Sequence, residues 1–387
     1  MPGYELIGKE ELKEISQIFK RSKTLSRMGF DQSRKNIYKV KDFEKKFSKF
    51  IRWPYCLGVT SGTAALRVAL ASLNLKKNDE VIAPSFTFVA TVEAIVESGA
   101  QPIIVEVNKT LNMSYEDLTK KISKKTKAII VVHMLGVPTD LINIKKICKK
   151  KKIILIEDTA WGCGAKYRGR YLGTHGDIGA FSFDFAKTIT TGEGGMVIFK
   201  DKKMFNKASA WHDHGHENNP KVPRWEDTRK SSGFNFRMNE MQGAVGLAQL
   251  KKINYILKKQ RQNHDAIWNK IKKIPGLELR EYPKSSVVSA DALIFFVKNR
   301  KLAINCRKEL LKVKISTKIL PEATTWHFAG HWNHIKLLKK KYKNLKKNFS
   351  KSNSFLKRSV SLPILVNMNS NIPSKIKLAI EKAHKLI

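Results

Sequence analysis

Lys187 stands between a short apolar run, Phe181-Ser182-Phe183, and a turn built from Gly192, Gly194 and Gly195. An ammonium buried beside such a run costs several kcal/mol unless it is paired or neutralised. A lysine whose charge is suppressed by its surroundings is a nucleophilic amine that forms Schiff bases with carbonyls. Read alone, the same residue is a surface lysine beside a glycine turn. Two other stretches offer complementary chemistry. Thr60-Ser61-Gly62-Thr63 opens a helix, where free N–H groups at the positive end of the dipole suit a phosphate, although Ser-Gly-Thr is also an ordinary helix start. Glu157-Asp158 closes an apolar run, so its carboxylates either cap the next turn or meet a ligand. His212, His214 and His216 alternate in a loop with no matched second cluster, and no metal is expected there.

The elements that would position these groups alternate regularly. Short apolar runs at 57–59, 80–83, 102–106, 128–132, 153–156, 180–183 and 196–199 read as strands. Helical patterns at 64–73, 86–98, 140–150 and 202–212 separate them, and Ser114 caps a further helix. Ala128 to Val132 is apolar throughout, as in a parallel strand covered on both faces. Ligands of such sheets bind at the carboxyl ends of the strands. Residues 1–52 read as two helical stretches around a loop at 27–36, and 220–230 as a polar loop. A long helix from Asn239 to about Ile267 leads into a less regular portion. There, 292–297 and 314–319 are expected as strands around the helix 302–311, and 373–387 as a closing helix. The fold class is therefore α/β, with a large doubly wound, mainly parallel sheet domain over 1–260 and a smaller α+β domain over 261–387.

Composition narrows the partners. The longest apolar candidate, 128–137, is broken by His133 and Gly136, and no membrane span is expected. Glu5, Glu10 and Glu11 replace the basic-then-apolar layout of a signal peptide, and the four cysteines are scattered, so a cytoplasmic protein is expected. The net charge of +41 brings nucleic acid or another polyanion into consideration. The lysines are nevertheless spread along the chain without interleaved aromatics, and no DNA- or RNA-binding pattern accompanies them. Most read as solvated faces, some of which would help to collect a small anion.

Five stretches, in order, carry a resemblance. They are Ser61-Gly62-Thr63-Ala64-Ala65-Leu66, Pro84 to Thr91, Glu157-Asp158, Ser182-Phe183 through Lys187 to Gly195, and Gly233 to Glu240. With them the chain resembles the DegT/DnrJ/StrS family of sugar aminotransferases, which have the fold type I architecture and depend on pyridoxal 5'-phosphate. The resemblance implies that Lys187 holds the cofactor and acts as acid and base. It places Asp158 under the pyridine nitrogen, Gly62, Thr63 and Ser182 at the phosphate, and Phe88 on the ring face. Asn235 would reach the cofactor of the neighbouring subunit, so a homodimer with shared active sites is implied. Trp161 departs from the family, which commonly has His or Gln there to meet the ring hydroxyl; an indole offers only an N–H and more bulk.

The implied reaction moves an amino group from an amino acid, glutamate by expectation, to a keto sugar of cell-surface polysaccharide biosynthesis. The sugar would be nucleotide-linked or a Kdo-like 8-oxo octulosonate; Pro2 to Leu6, Phe30 to Lys39 and Trp326 to His334 resemble the branch that uses the latter. Some relatives carry histidine in place of the lysine and are sugar dehydratases, so dehydration is the nearest alternative. A charge-driven polyanion-binding protein is the alternative of another class.

Overall fold

The structure is a computed structural model and describes residues 2–386. Its thirteen strands, in chain order, begin with β1 (Tyr55–Val59), β2 (Glu80–Pro84), β3 (Gln101–Val105), β4 (Thr126–Val132) and β5 (Ile154–Asp158). They continue with β6 (Lys166–Tyr167), β7 (Arg170–Tyr171), β8 (Ile178–Ser182) and β9 (Gly195–Phe199). The last four are β10 (Glu278–Leu279), β11 (Ser286–Val287), β12 (Ala292–Phe296) and β13 (Ser359–Pro363).

Seven strands form one sheet in the order β1-β9-β8-β5-β4-β2-β3. Strands β3, β2, β4, β5 and β8 run parallel, whereas β9 pairs antiparallel with both β8 and β1. The apolar runs are continuous because both faces are covered. Ala128, Ile130 and Val132 enter the core on one side, and Ile129 and Val131 the core on the other. Helices fill both layers, so the expected α/β class with a mainly parallel, doubly wound sheet is what the chain adopts. Pro84, Val132, Asp158 and Ser182 end parallel strands along one edge of this sheet.

Two expected elements differ. The helix expected from Phe86 begins only at Ala90 and runs to Glu97. Residues 87–89 are instead drawn into contact with a distant segment, as Thr87 N donates to His327 O (3.0 Å) and Val89 N to Trp326 O (2.9 Å). Residues 314–319 are not a strand. β13 takes the place beside β12, and the 314–319 segment touches it only at its end, where Lys318 N donates to Ser361 O (2.7 Å). The edge of β12 that a strand at 314–319 would need is occupied by β13. Around the loop expected at 27–36, a short helix covers Asp31–Arg34.

The long helix covers Glu240–Ile271 and passes without a break through position 260. Its Leu247, Ile253 and Leu257 join the core beside the sheet, whereas Ile267 and Ile271 join a separate core with β12, β13 and the closing helix Ile372–Lys385. Ile387, the expected end of that helix, lies outside the described residues. Phe328, Trp332, Phe349 and Leu356 return to the core of the large sheet. That return brings C-terminal residues to the carboxyl edge.

Candidate active site

Asp158 ends β5, and strand alternation sends it and its neighbour Glu157 in opposite directions. Glu157 faces the packed interior and accepts N–H groups from Gly173 (2.9 Å), His175 (2.6 Å) and Gly176 (2.6 Å), with His133 Nε2 at 2.9 Å. Burial opposes its charge, but the bond to His133, the nearby imidazoles and these donors outweigh it and hold the carboxyl down at about 2. Glu157 is thus the carboxylate that anchors a turn, and Asp158 is the one left for a ligand.

Asp158 opens on a cavity of about 310 Å3. Thr91 donates its hydroxyl to Oδ2 at 2.9 Å and Ala160 N donates to Oδ1 at 3.2 Å. Because Thr91 has spent its only proton, Thr87, 2.7 Å away, donates to it in turn. Burial pushes the Asp158 carboxyl up, while these donors and the charge of Lys187 act against that rise.

Lys187 enters the same cavity from the turn between β8 and β9. The turn is closed by Phe183 N to Gly194 O (2.8 Å) and Thr191 N to Phe183 O (2.9 Å), and Gly192 takes its positive φ of 81°. Gly3 N donates to Lys187 O (3.0 Å), so the N-terminus holds the lysine backbone from outside. The side chain is buried, with Nζ 3.1 Å from the centroid of the Trp161 ring. Burial first, and the charge of Lys318 second, bring its pKa down to about 8. Near neutral pH a fraction of the amine on the order of a tenth is therefore unprotonated, far more than for a free lysine.

The third wall is the helix Gly62–Ala71. Ser61 caps it, accepting from Ala64 N at 3.0 Å, and the N–H groups of Gly62 and Thr63 lie in the first turn, which has no intrahelical acceptors. A side chain at Gly62 would come within 2.7 Å of Ser182 Cβ, so only glycine lets the helix start meet the end of β8. Ser182 and Thr63 line the cavity beside it.

Phe88 closes the mouth, 40% exposed, stacked on Trp326 at 6.3 Å and 4° and lying 5.4 Å from the His327 ring. His327 is buried, and burial brings its pKa down to about 4. In that neutral ring Nδ1 carries the proton donated to Ala323 O (2.9 Å), which leaves Nε2 as an acceptor.

Gly62, Thr63, Phe88, Asp158, Trp161, Ser182 and Lys187 therefore meet at one cavity. Asn235 does not line it: it is exposed, bridges the backbone of Asp213, and its side chain accepts from Arg237 N at 3.3 Å. Of the alternating histidines, His216 lies 3.3 Å from Asp227 and His212 Nδ1 meets Ser209 O. Among the described residues no group of three or more His, Cys, Asp or Glu side chains is placed to hold a metal ion. Sequence reasoning missed Thr91 and His327, which line the cavity, and the Lys318–Asp291 ion pair, which stands behind Trp161 with Lys318 Nζ 4.7 Å from its ring. Thr91 lies four residues after Thr87, which is a local signal; the other three arrive through contacts remote in the chain.

An amine, a carboxylate steadied by two donors, an anion-accepting helix start and an aromatic lid fit a flat aromatic aldehyde that carries a phosphate. The comparisons point the same way. The family model described as the DegT/DnrJ/EryC1/StrS aminotransferase family matches residues 10–380. The chain is 40% identical over 227 residues to the GDP-perosamine synthase of Escherichia coli O157:H7, covering 58% of this chain and 61% of that protein. It is 33% identical over 243 residues to the GDP-4-keto-6-deoxy-D-mannose 3-dehydratase of Yersinia pseudotuberculosis, covering 58% of this chain and 62% of that one. The chain thus spans less than two thirds of either relative. Among solved structures, the aminotransferase from Psychrobacter cryohalolentis superposes with a TM-score of 0.87 at 25% identity, over 98% of both chains.

Proposed function

Because the chain belongs to the DegT/DnrJ/EryC1/StrS aminotransferase family, we propose that it is a pyridoxal 5'-phosphate-dependent aminotransferase that delivers an amino group from an amino acid, glutamate in our reading, to a keto sugar. One observation carries this: the Lys187 amine and the Asp158 carboxylate open on a single cavity beside the helix start at Gly62. Gly62, Thr63 and Ser182 would hold the phosphate, Asp158 the ring nitrogen, Phe88 the ring face, and Lys187 the aldehyde carbon. When bound, the cofactor supplies an electron sink for a carbanion at the substrate carbon.

The chain's own groups do the rest. Lys187, partly unprotonated near neutral pH, takes a proton from the substrate carbon at Nζ and returns it elsewhere. Asp158, held by Thr91 and Ala160, presents a fixed negative charge to a cationic ring nitrogen. Phe88 and Trp161 restrict water at the amine. His327 Nε2 offers an acceptor to a sugar hydroxyl at the mouth.

The acceptor in this proposal is a GDP-linked or other nucleotide-linked keto sugar, GDP being the nucleotide in the names of the two relatives, or a keto-acid sugar of the octulosonate kind, used for surface polysaccharide. The positive charge of the chain favours either anion. Two copies share their sites in this reading, because Phe234 and Asn235 are exposed in a single chain. We place the enzyme in the cytoplasm, where nucleotide sugars are made. The test supplies pyridoxamine 5'-phosphate and a panel of keto sugars and follows products by mass. An amino sugar formed with stoichiometric loss of donor amine is expected. A dehydrated sugar with no donor consumed would establish the dehydratase alternative instead.

A further inference from the structure

Trp161 carries a second ammonium besides Lys187. Lys318 Nζ lies 4.7 Å from the centroid of the same ring. Its side chain is 4% exposed and forms a 2.6 Å ion pair with Asp291 Oδ2, itself 1% exposed. The other oxygen of Asp291 is buried with no hydrogen-bond partner among the described residues, so Lys318 is the cation that compensates this carboxylate. Both residues come from the C-terminal part of the chain. Ser289, two residues before Asp291, fixes that part to the same tryptophan by donating to Trp161 O at 3.1 Å. A buried ion pair is a poor source of stability compared with apolar packing, so its place beside the reactive amine calls for another reason.

We propose that Lys318, held in place by Asp291, is a positioning residue for Lys187: a fixed ammonium on the shared indole ring disfavours a second positive charge there and enlarges the uncharged, nucleophilic fraction of Lys187. Trp161 supplies the surface on which the two amines are held, which gives this departure from the family's usual residue a role of its own. The remaining groups around Lys187 pull the other way. Asp158 from β5, Asp184 from the lysine's own turn and Asp291 all favour its charged form, while neutral His327 leaves the balance unchanged and exposed Glu193 acts through solvent. Without Lys318, burial alone would oppose the three carboxylates, and the protonated fraction would rise. The biological use of this device rests on Lys187 being the cofactor lysine, but the electrostatic claim does not.

The test is made on folded, cofactor-free full-length protein. Trace labelling with acetic anhydride over a range of pH gives the midpoint at which Lys187 becomes reactive, read by mass spectrometry of its peptide. Lys318→Gln should move that midpoint up by about one pH unit or more. Asp291→Asn should move it down. The double variant, whose two neutral side chains can still hydrogen-bond, should return towards the parent value. Lys318→Arg retains the charge and should leave the midpoint near the parent value, which keeps the test decisive if Lys318→Gln does not fold. An unchanged midpoint in Lys318→Gln, or single variants that shift in the same direction, overturns the proposal, since mere repacking around Trp161 has no reason to reverse sign with charge. Reductive trapping of the cofactor on Lys187 is an independent readout, so a failure here leaves the functional reading to stand or fall separately.

Discussion

The Lys187 nitrogen sits 3.1 Å from the centroid of the Trp161 indole. The bulk at 161, which by resemblance replaces a polar side chain, thereby seals the amine from water, and this desolvation outweighs the attraction of the π-face for its charged form. Trp161→Ala should therefore admit water and raise the reactivity midpoint of Lys187 by about one pH unit, towards that of free lysine. Amine labelling against pH checks this; a midpoint that stays at or below the parent value would show that the indole does not control the amine.

Thr91 should matter to the cofactor although it sits outside the residues that the resemblance assigns. Thr91→Val removes the 2.9 Å donor to Asp158 and leaves only Ala160 N on that carboxylate. A hydrogen bond to a charged group contributes about 1.5–3 kcal/mol, so pyridoxal 5'-phosphate affinity should fall by roughly tenfold or more. Thr91→Ser should restore it. Fluorescence titration of the cofactor decides the matter, and equal affinities for Val and Ser would remove Thr91 from the site.

Glu157 makes a prediction about acid. Its carboxyl is held from the ordinary 4.5 down to about 2 in the folded chain. A lowered acid pKa means stability that is present above the unfolded value and lost as pH falls towards the folded one. Denaturant melts should show the protein weakening between those two pH values. Glu157→Gln should be less stable than the parent at neutral pH and show a flatter loss in that window. A parent whose stability is level across the window would contradict the assignment of Glu157 as the anchor of the 173–176 turn.

The subunit arrangement is open to a mixing experiment. In a shared site, a Lys187→Ala subunit contributes an intact Asn235 to its partner, and an Asn235→Ala subunit contributes an intact Lys187. Mixed and re-equilibrated, the two weak parents should recover transaminase activity above either one. No recovery would mean that Asn235 serves its own subunit or no active site.

Much of the fold was legible because each apolar run is local and fully covered, as Ala128 to Val132 shows. Lys187, Asp158 and Gly62 were legible for a related reason: each lies at or just after a strand end, where sequence neighbours already define the turn. Thr91 closes the Pro84 to Thr91 stretch, but its bond to Asp158 spans 67 residues, and no periodicity reports such a contact. His327, Asp291 and Lys318 were hidden further. They reach the site only because the chain after the long helix folds back onto the sheet, and a lysine among so many carries no signal of being the buried one. The strand expected at 314–319 failed for the same reason, since β13 had claimed the edge from 40 residues further along. Ser359 and Ser361 sit buried in that strand, so its short apolar pattern was easily passed over.

One amine among many lysines is expected to bond the cofactor. Borohydride reduction of protein loaded with pyridoxal 5'-phosphate, followed by proteolysis and mass measurement, tests it directly. The reduced cofactor should be found on the peptide that carries Lys187 and on no other. Its appearance on Lys318 or another lysine, or on none, would rule out Lys187 as the cofactor lysine.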